Sequence, residues 1–229
     1  MAPSISRVMC DCGAIGAKAL TRARPVLPMG SRASAWPSLP DRLIVFRSFA
    51  MSASHSVPLS TGADYEALAA RFRPIFARIA EGALERERSR TLPYEPVRWL
   101  KEAGFGAIRV PTAYGGAGAS LPQLFSLLIE LAEADANLPQ AFRGHFAFVE
   151  DRLNAAPGAD QERWLGRFVA GDLVGNAWTE IGEVKIGDVI TRVSQRDGQW
   201  VVNGRKFYST GSIFADWIDV FARRDDTGQ

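Results

Sequence analysis

No cysteine lies beyond Cys12, so the body of the chain has no disulfide framework, no cysteine nucleophile and no zinc box. Cys10-Asp-Cys12 alone is too sparse and too closely spaced for a metal site, and no metal is expected. Long apolar runs are missing as well. Nothing approaches the roughly 20 residues that cross a bilayer, and Leu43 to Phe46 is far too short, so no membrane association is expected. Residues 1–50 hold seven Lys or Arg against Asp11 and Asp41, leaving 20 basic and 23 acidic residues in the remainder. That mildly acidic body has no basic, aromatic-interleaved face, which argues against a nucleic-acid partner. A reducing, cytoplasmic setting fits this composition. What the chain does have is 229 residues, 47% apolar and 23% charged, enough for a sizeable core in one or two domains.

Residues 1–57 are rich in Ser, Ala, Pro and Arg, poor in acids, and without a sustained period. They are expected to be disordered. They read either as a transit-type leader or as an upstream extension of a frame whose natural start is Met51. From Asp64 the pattern turns helical, with Tyr65, Leu68, Phe72, Ile75, Phe76, Ile79, Ala83 and Leu84 at steps of three and four. Pro74 is expected to kink or split this helix. A short helix after Pro93 carries Val97 and Leu100 inward and stops at Gly104. Tyr114-Gly-Gly-Ala-Gly118 lacks the Lys-Ser/Thr of a phosphate loop and any βαβ context, so it reads as a plain loop.

Ser120 with Gln123 makes a capping box for a helix whose inward residues are Leu121, Leu124, Phe125, Leu128 and Leu131. The next helix opens near Asn137 with Pro139 in its first turn and a stripe of Phe142, His145, Phe146, Val149 and Leu153. A histidine on such a stripe is more often a hydrogen-bonded core residue than a catalytic one. A further helix from about Asp160 buries Trp164, Leu165 and Phe168 and ends before Gly171.

After Gly171 the period becomes two. Strands are expected over Leu173 to Thr179, Val189 to Gln195, Trp200 to Val202, Arg205 to Thr210 and Trp217 to Ala222, with turns at Asp197-Gly198 and Asn203-Gly204. Helices followed by strands give an α+β class: an N-terminal helical domain over residues 58–171 and an incomplete antiparallel β domain over 172–229. The sheet stops at Asp226-Thr-Gly-Gln229, where another hairpin turn is expected, so the chain reads as part of something longer. Within Asn203 to Ile218, an aromatic ring, hydroxyls and glycines are grouped as a flat aromatic cofactor would need them.

The helical run, Trp178-Thr179-Glu180 and Lys206-Phe-Tyr-Ser-Thr-Gly211 together resemble the acyl-CoA dehydrogenase flavoprotein superfamily over roughly residues 60–229. The resemblance implies a fold that continues into a C-terminal helical bundle, and a homotetramer at full length. It also implies a flavin held by Thr179, Tyr208 and Thr210, with Trp178 and Ser209 flanking them. The dehydrogenase pattern Pro-Gly-x-Gly-Ser-Asp after Thr-Glu is replaced by Ile181-Gly-Glu-Val-Lys-Ile-Gly-Asp188, which lacks the Ser that meets the cofactor pyrophosphate and the thioester. Ser209-Thr-Gly211 stands where dehydrogenases have Ile-Thr-Asn. With Gln140-Ala-Phe-Arg-Gly-His145 and Gly175-Asn176-Ala177, these departures are most similar to the dibenzothiophene and sulfone monooxygenase branch.

That branch implies reduced FMN from a separate flavin reductase, a small organosulfur or related substrate, and His145, Asn176 and Thr210 around the flavin C4a–N5 locus. His145 would be the catalytic hydrogen-bond donor there. Two alternatives stand beside this reading: an FAD-dependent acyl-CoA dehydrogenase, and an inactive truncated fragment.

Overall fold

The computed structural model describes residues 5–11, 63–181, 189–197 and 199–224. Five helices precede most of the sheet: α1 (Ala63–Ser89), α2 (Tyr94–Glu102), α3 (Leu121–Ala134), α4 (Asn137–Leu153) and α5 (Ala159–Val169). The strands are β1 (Ile5–Asp11), β2 (Val174–Ala177), β3 (Arg192–Arg196), β4 (Gln199–Asn203) and β5 (Trp217–Arg224). The α+β class is as expected.

Local sequence explains most boundaries. Ser120 Oγ accepts from the Gln123 N–H, and the Gln123 carboxamide accepts from the Ser120 N–H, so α3 opens on a complete capping box. Gly104 follows the end of α2 in the left-handed region, at φ 76°. Pro74, by contrast, neither splits nor ends α1, which runs through it. Pro74 and Ala70 are both exposed, so the carbonyl that loses its helical donor can take water instead.

Phe72, Ile79, Leu100, Phe105, Leu127, Leu131 and Leu138 are fully buried and join α1, α2, α3 and α4 in one core. A second cluster, Val110, Phe148, Val149, Trp164, Leu165, Phe168 and Val174, seats α5 and β2. Leu121 and Phe125, expected inward, are exposed. Helix α3 is apolar around most of its circumference, so periodicity alone does not say which side packs.

The sheet is mixed where an antiparallel one was expected. β1 pairs antiparallel along β5 from Ile5 opposite Arg223 to Asp11 opposite Trp217. β2 runs parallel to β5 over Trp217–Val220, and β3 runs parallel to Arg223 and Arg224, while β3 and β4 form an antiparallel hairpin. The cause is a chain that leaves β2, returns as β3 in the same direction, and lies farther along β5. Disorder does not extend to Ile5–Asp11, which are a strand; residues 12–57 lie outside the described residues. Arg205 to Thr210 is not a strand either, for Phe207 makes a single bridge to Thr179 before the backbone turns.

Candidate functional site

Two segments bring six of the seven expected site residues together. After β2 the chain continues through Trp178, Thr179 and Glu180; facing it, residues 206–212 form a tight turn. The Phe207 N–H donates to the Thr179 carbonyl at 2.9 Å, and the Asn176 N–H donates to the Thr210 carbonyl at 3.2 Å. Asn176, Trp178, Thr179, Tyr208, Ser209 and Thr210 therefore lie on two adjacent segments, with Trp178, Thr179, Tyr208 and Ser209 exposed.

The turn is held under backbone strain. Tyr208 has φ 57°, uncommon for a bulky residue and costing on the order of 1–2 kcal/mol. Thr210 N–H to the Tyr208 carbonyl (2.8 Å) and Ser212 N–H to the Ser209 carbonyl (3.2 Å) fix the bend. Gly211 has φ 74° and sits so close to α4 that a Cβ there would lie 2.3 Å from the Ala141 carbonyl oxygen. The result is a fixed bend that presents Tyr208 to solvent, 78% exposed.

Glu180 is the clamp under this surface. Its carboxylate accepts from the N–H groups of Ile190 and Thr191, from the Thr191 hydroxyl at 2.6 Å and from Lys206 Nζ at 2.7 Å. Burial alone would raise this carboxyl, but the bonds from Lys206, Thr191 and Ile190 together bring it down to about 2. Glu180 thus ties the chain after β2 to Ile190 and Thr191; residues 182–188, Gly187 and Asp188 among them, lie outside the described residues. Trp178 is anchored through Nε1 to Asp219 Oδ2 at 3.0 Å.

His145 lies beneath the surface rather than on it. It is 1% exposed, and both ring nitrogens are taken: Nε2–H donates to the Gly106 carbonyl at 2.8 Å, and Nδ1 accepts from the Val174 N–H at 3.2 Å. Burial lowers its pKa to about 4, so the ring is neutral, with the proton on Nε2. It ties α4 to the 3₁₀ turn Phe105–Ala107 and to β2. A Cβ on Gly106 would lie 2.9 Å from His145 Nε2, so that glycine is part of the arrangement.

One atom near the turn has no partner. Asn176 Oδ1 is buried and unbonded, packed against Gly144.

Sequence reasoning missed Arg143, whose Nη2 donates to Thr210 Oγ1 at 3.3 Å. It also missed the bidentate link from Lys101 Nζ to Asp216 (2.8 and 2.6 Å), whose Oδ2 accepts from the Leu173 N–H at 2.8 Å. Arg143 stands two residues before His145 in the stretch already singled out, and its place off the apolar stripe was the available signal.

Against known proteins, residues 63–172 match the family model for the acyl-CoA dehydrogenase, N-terminal domain. Residues 63–172 are an acyl-CoA dehydrogenase N-terminal domain. A benzylmalonyl-CoA dehydrogenase of Aromatoleum aromaticum is 32% identical over 157 residues, 65% of this chain and 40% of that protein. A dibenzothiophene monooxygenase of Rhodococcus qingshengii is 28% identical over 150 residues, 64% of this chain and 36% of that protein. The crystal structure of FMN-bound TdsC from Paenibacillus sp. A11-2 superposes with a TM-score of 0.61 at 28% identity, covering 69% of this chain and 40% of its own. The chain spans about two fifths of the length of these relatives.

Proposed function

We propose that this chain supplies one wall of a flavin site in a two-component monooxygenase that uses reduced FMN from a separate flavin reductase to oxygenate a small organosulfur or related substrate. The pairing of the two segments carries the reading: the Phe207–Thr179 and Asn176–Thr210 backbone bonds hold the exposed Trp178, Thr179, Tyr208 and Ser209 side by side, as a flat ring would need them. Tyr208 offers the ring face, Thr210 and Ser209 the hydroxyls, and Trp178 and Thr179 the opposite rim. Bound reduced flavin would supply the electrons that activate dioxygen. The chain's own part is to orient that ring.

In this reading His145 is a positioning residue. To donate at the flavin it would have to release Gly106, so its contribution is to fix β2, and with it Asn176, against α4. A dehydrogenase is the second reading, favoured by the benzylmalonyl-CoA dehydrogenase relative. It needs a carboxylate free to take a proton. Among the described residues, Glu180 is committed to Lys206, Thr191 and Ile190, and Asp216 to Lys101 and Leu173, so neither serves.

Titrating the 229-residue protein anaerobically with FMN and FAD, oxidised and reduced, separates the readings by flavin fluorescence. Binding confined to reduced FMN, and weakened about tenfold or more by Tyr208→Ala or Thr210→Val, is the expected result. Tight retention of FAD turns the conclusion to a dehydrogenase, and binding of neither flavin to an inert fragment.

A further inference from the structure

The exposed side of α3 and the neighbouring side of α4 enclose a groove of about 470 Å³, lined by Leu121, Phe125, Leu128, Pro139, Arg143 and Phe146 among others. Its walls are almost wholly apolar. Leu121 (43% exposed) and Phe125 (57%) show that the apolar side chains face outward here rather than completing the core. The charged groups at the groove differ in one respect. Glu150 is neutralised by Arg109, with Nε at 2.5 Å and Nη2 at 3.0 Å. Arg143 has no carboxylate partner among the described residues; it makes one neutral hydrogen bond, to Thr210 Oγ1.

From this asymmetry we infer that the groove binds an apolar organic anion, an aromatic or alkyl body lying along Leu121, Phe125 and Phe146 with a carboxylate or sulfonate received by Arg143. A guanidinium presents a planar fork of donors, so the four N–H groups not facing Thr210 can take such a head in charge-assisted bonds. The volume suits one or two rings with a short side chain. Because Arg143 also holds Thr210, the anionic end would lie at the turn that carries Tyr208. Arg143 would then set substrate specificity, an assignment that rests on the flavin reading only for which end of the ligand meets the reacting atoms.

The test is binding without flavin, so it can fail while the flavin titration succeeds, or the reverse. The intact protein is titrated with anilinonaphthalene sulfonate and with phenylnaphthylamine, which has the same rings and no sulfonate, and fluorescence is read. The wild type should prefer the sulfonate by about tenfold. Arg143→Gln should abolish that preference and leave the uncharged probe bound, Arg143→Lys should keep part of it, and Phe125→Ser should weaken both probes. Both side chains, Arg143 and Phe125, are exposed, and circular dichroism confirms folding. Displacement of the sulfonate probe by phenylpropanoate or by phenylmethanesulfonate distinguishes a carboxylate from a sulfonate head. Equal affinity of Arg143→Gln and wild type for the sulfonate, or displacement by neither competitor, overturns the assignment.

Discussion

At the scale of the residue, the decisive chemistry is the neutrality of His145. A ring that donates from Nε2 to Gly106 and accepts at Nδ1 from Val174 has one hydrogen to give and one lone pair to fill, and both are used. Burial is the main reason that its pKa falls to about 4; Lys101 lowers it further, while the Gly106 bond and Asp216 oppose the shift. The unfolded chain protonates near 6.5, the folded one only near 4, so the unfolded state holds the extra proton between these values. Stability from this residue is therefore complete above about pH 6.5 and declines as pH falls towards 4, by a total on the order of 3 kcal/mol. Urea unfolding followed against pH should show that decline in the wild type and a flatter slope in His145→Gln, which keeps a donor and an acceptor but does not titrate. An unchanged slope in the variant would assign the acid sensitivity to carboxylates. The sequence placed His145 on an inward stripe correctly, yet its partners lie 39 and 29 residues away, beyond the reach of periodicity.

At the scale of the element, helices were legible and the turn was not. The capping box at Ser120 and the stop at Gly104 are local signals, each realised where it was expected, and the steps of three and four along α1 are buried from Tyr65 to Ile79 except for the half-buried Ile75, whereas Leu84 is exposed. Lys206 to Thr210 has strand-like composition, but two left-handed positions, Tyr208 and Gly211, bend it into a turn whose shape is decided by contact with α4. Gly211→Ala is the informative change. It places a Cβ 2.3 Å from the Ala141 carbonyl oxygen at a φ that L side chains resist. A loss of about 2 kcal/mol or more is expected in thermal unfolding, because the added methyl meets rigid backbone on one side and dihedral strain on the other. Flavin affinity should fall with it if the turn forms the seat. Retention of full stability would mean that the turn can leave α4 at little cost.

At the scale of the whole molecule, β5 organises the sheet, and one of its edges is covered by residues from the far end of the chain. β2 and β3 share one side of β5 in succession, while β1 occupies the other from Ile5 to Asp11. Ile5-Ser-Arg-Val-Met-Cys-Asp11 is short and has no period-two pattern to stand out within a Ser, Ala, Pro and Arg-rich stretch, and its partner lies some two hundred residues downstream. Composition therefore pointed to disorder, whereas the strand depends on a pairing that no local signal records. A chain of residues 51–229 lacks β1 and so leaves that edge of β5 without this partner, and an unpaired edge is a template for association. A chain of residues 51–229 is accordingly expected to melt lower and to elute as larger species in size-exclusion chromatography than the 229-residue protein at equal concentration. Gly175→Ala, which would drive a Cβ to 2.5 Å from Ser212 Cα, should disturb β2 in both lengths and so separates general weakening from edge exposure. Identical melting and elution of the two lengths would show that β1 is dispensable, and would favour the reading of residues 1–50 as an upstream extension.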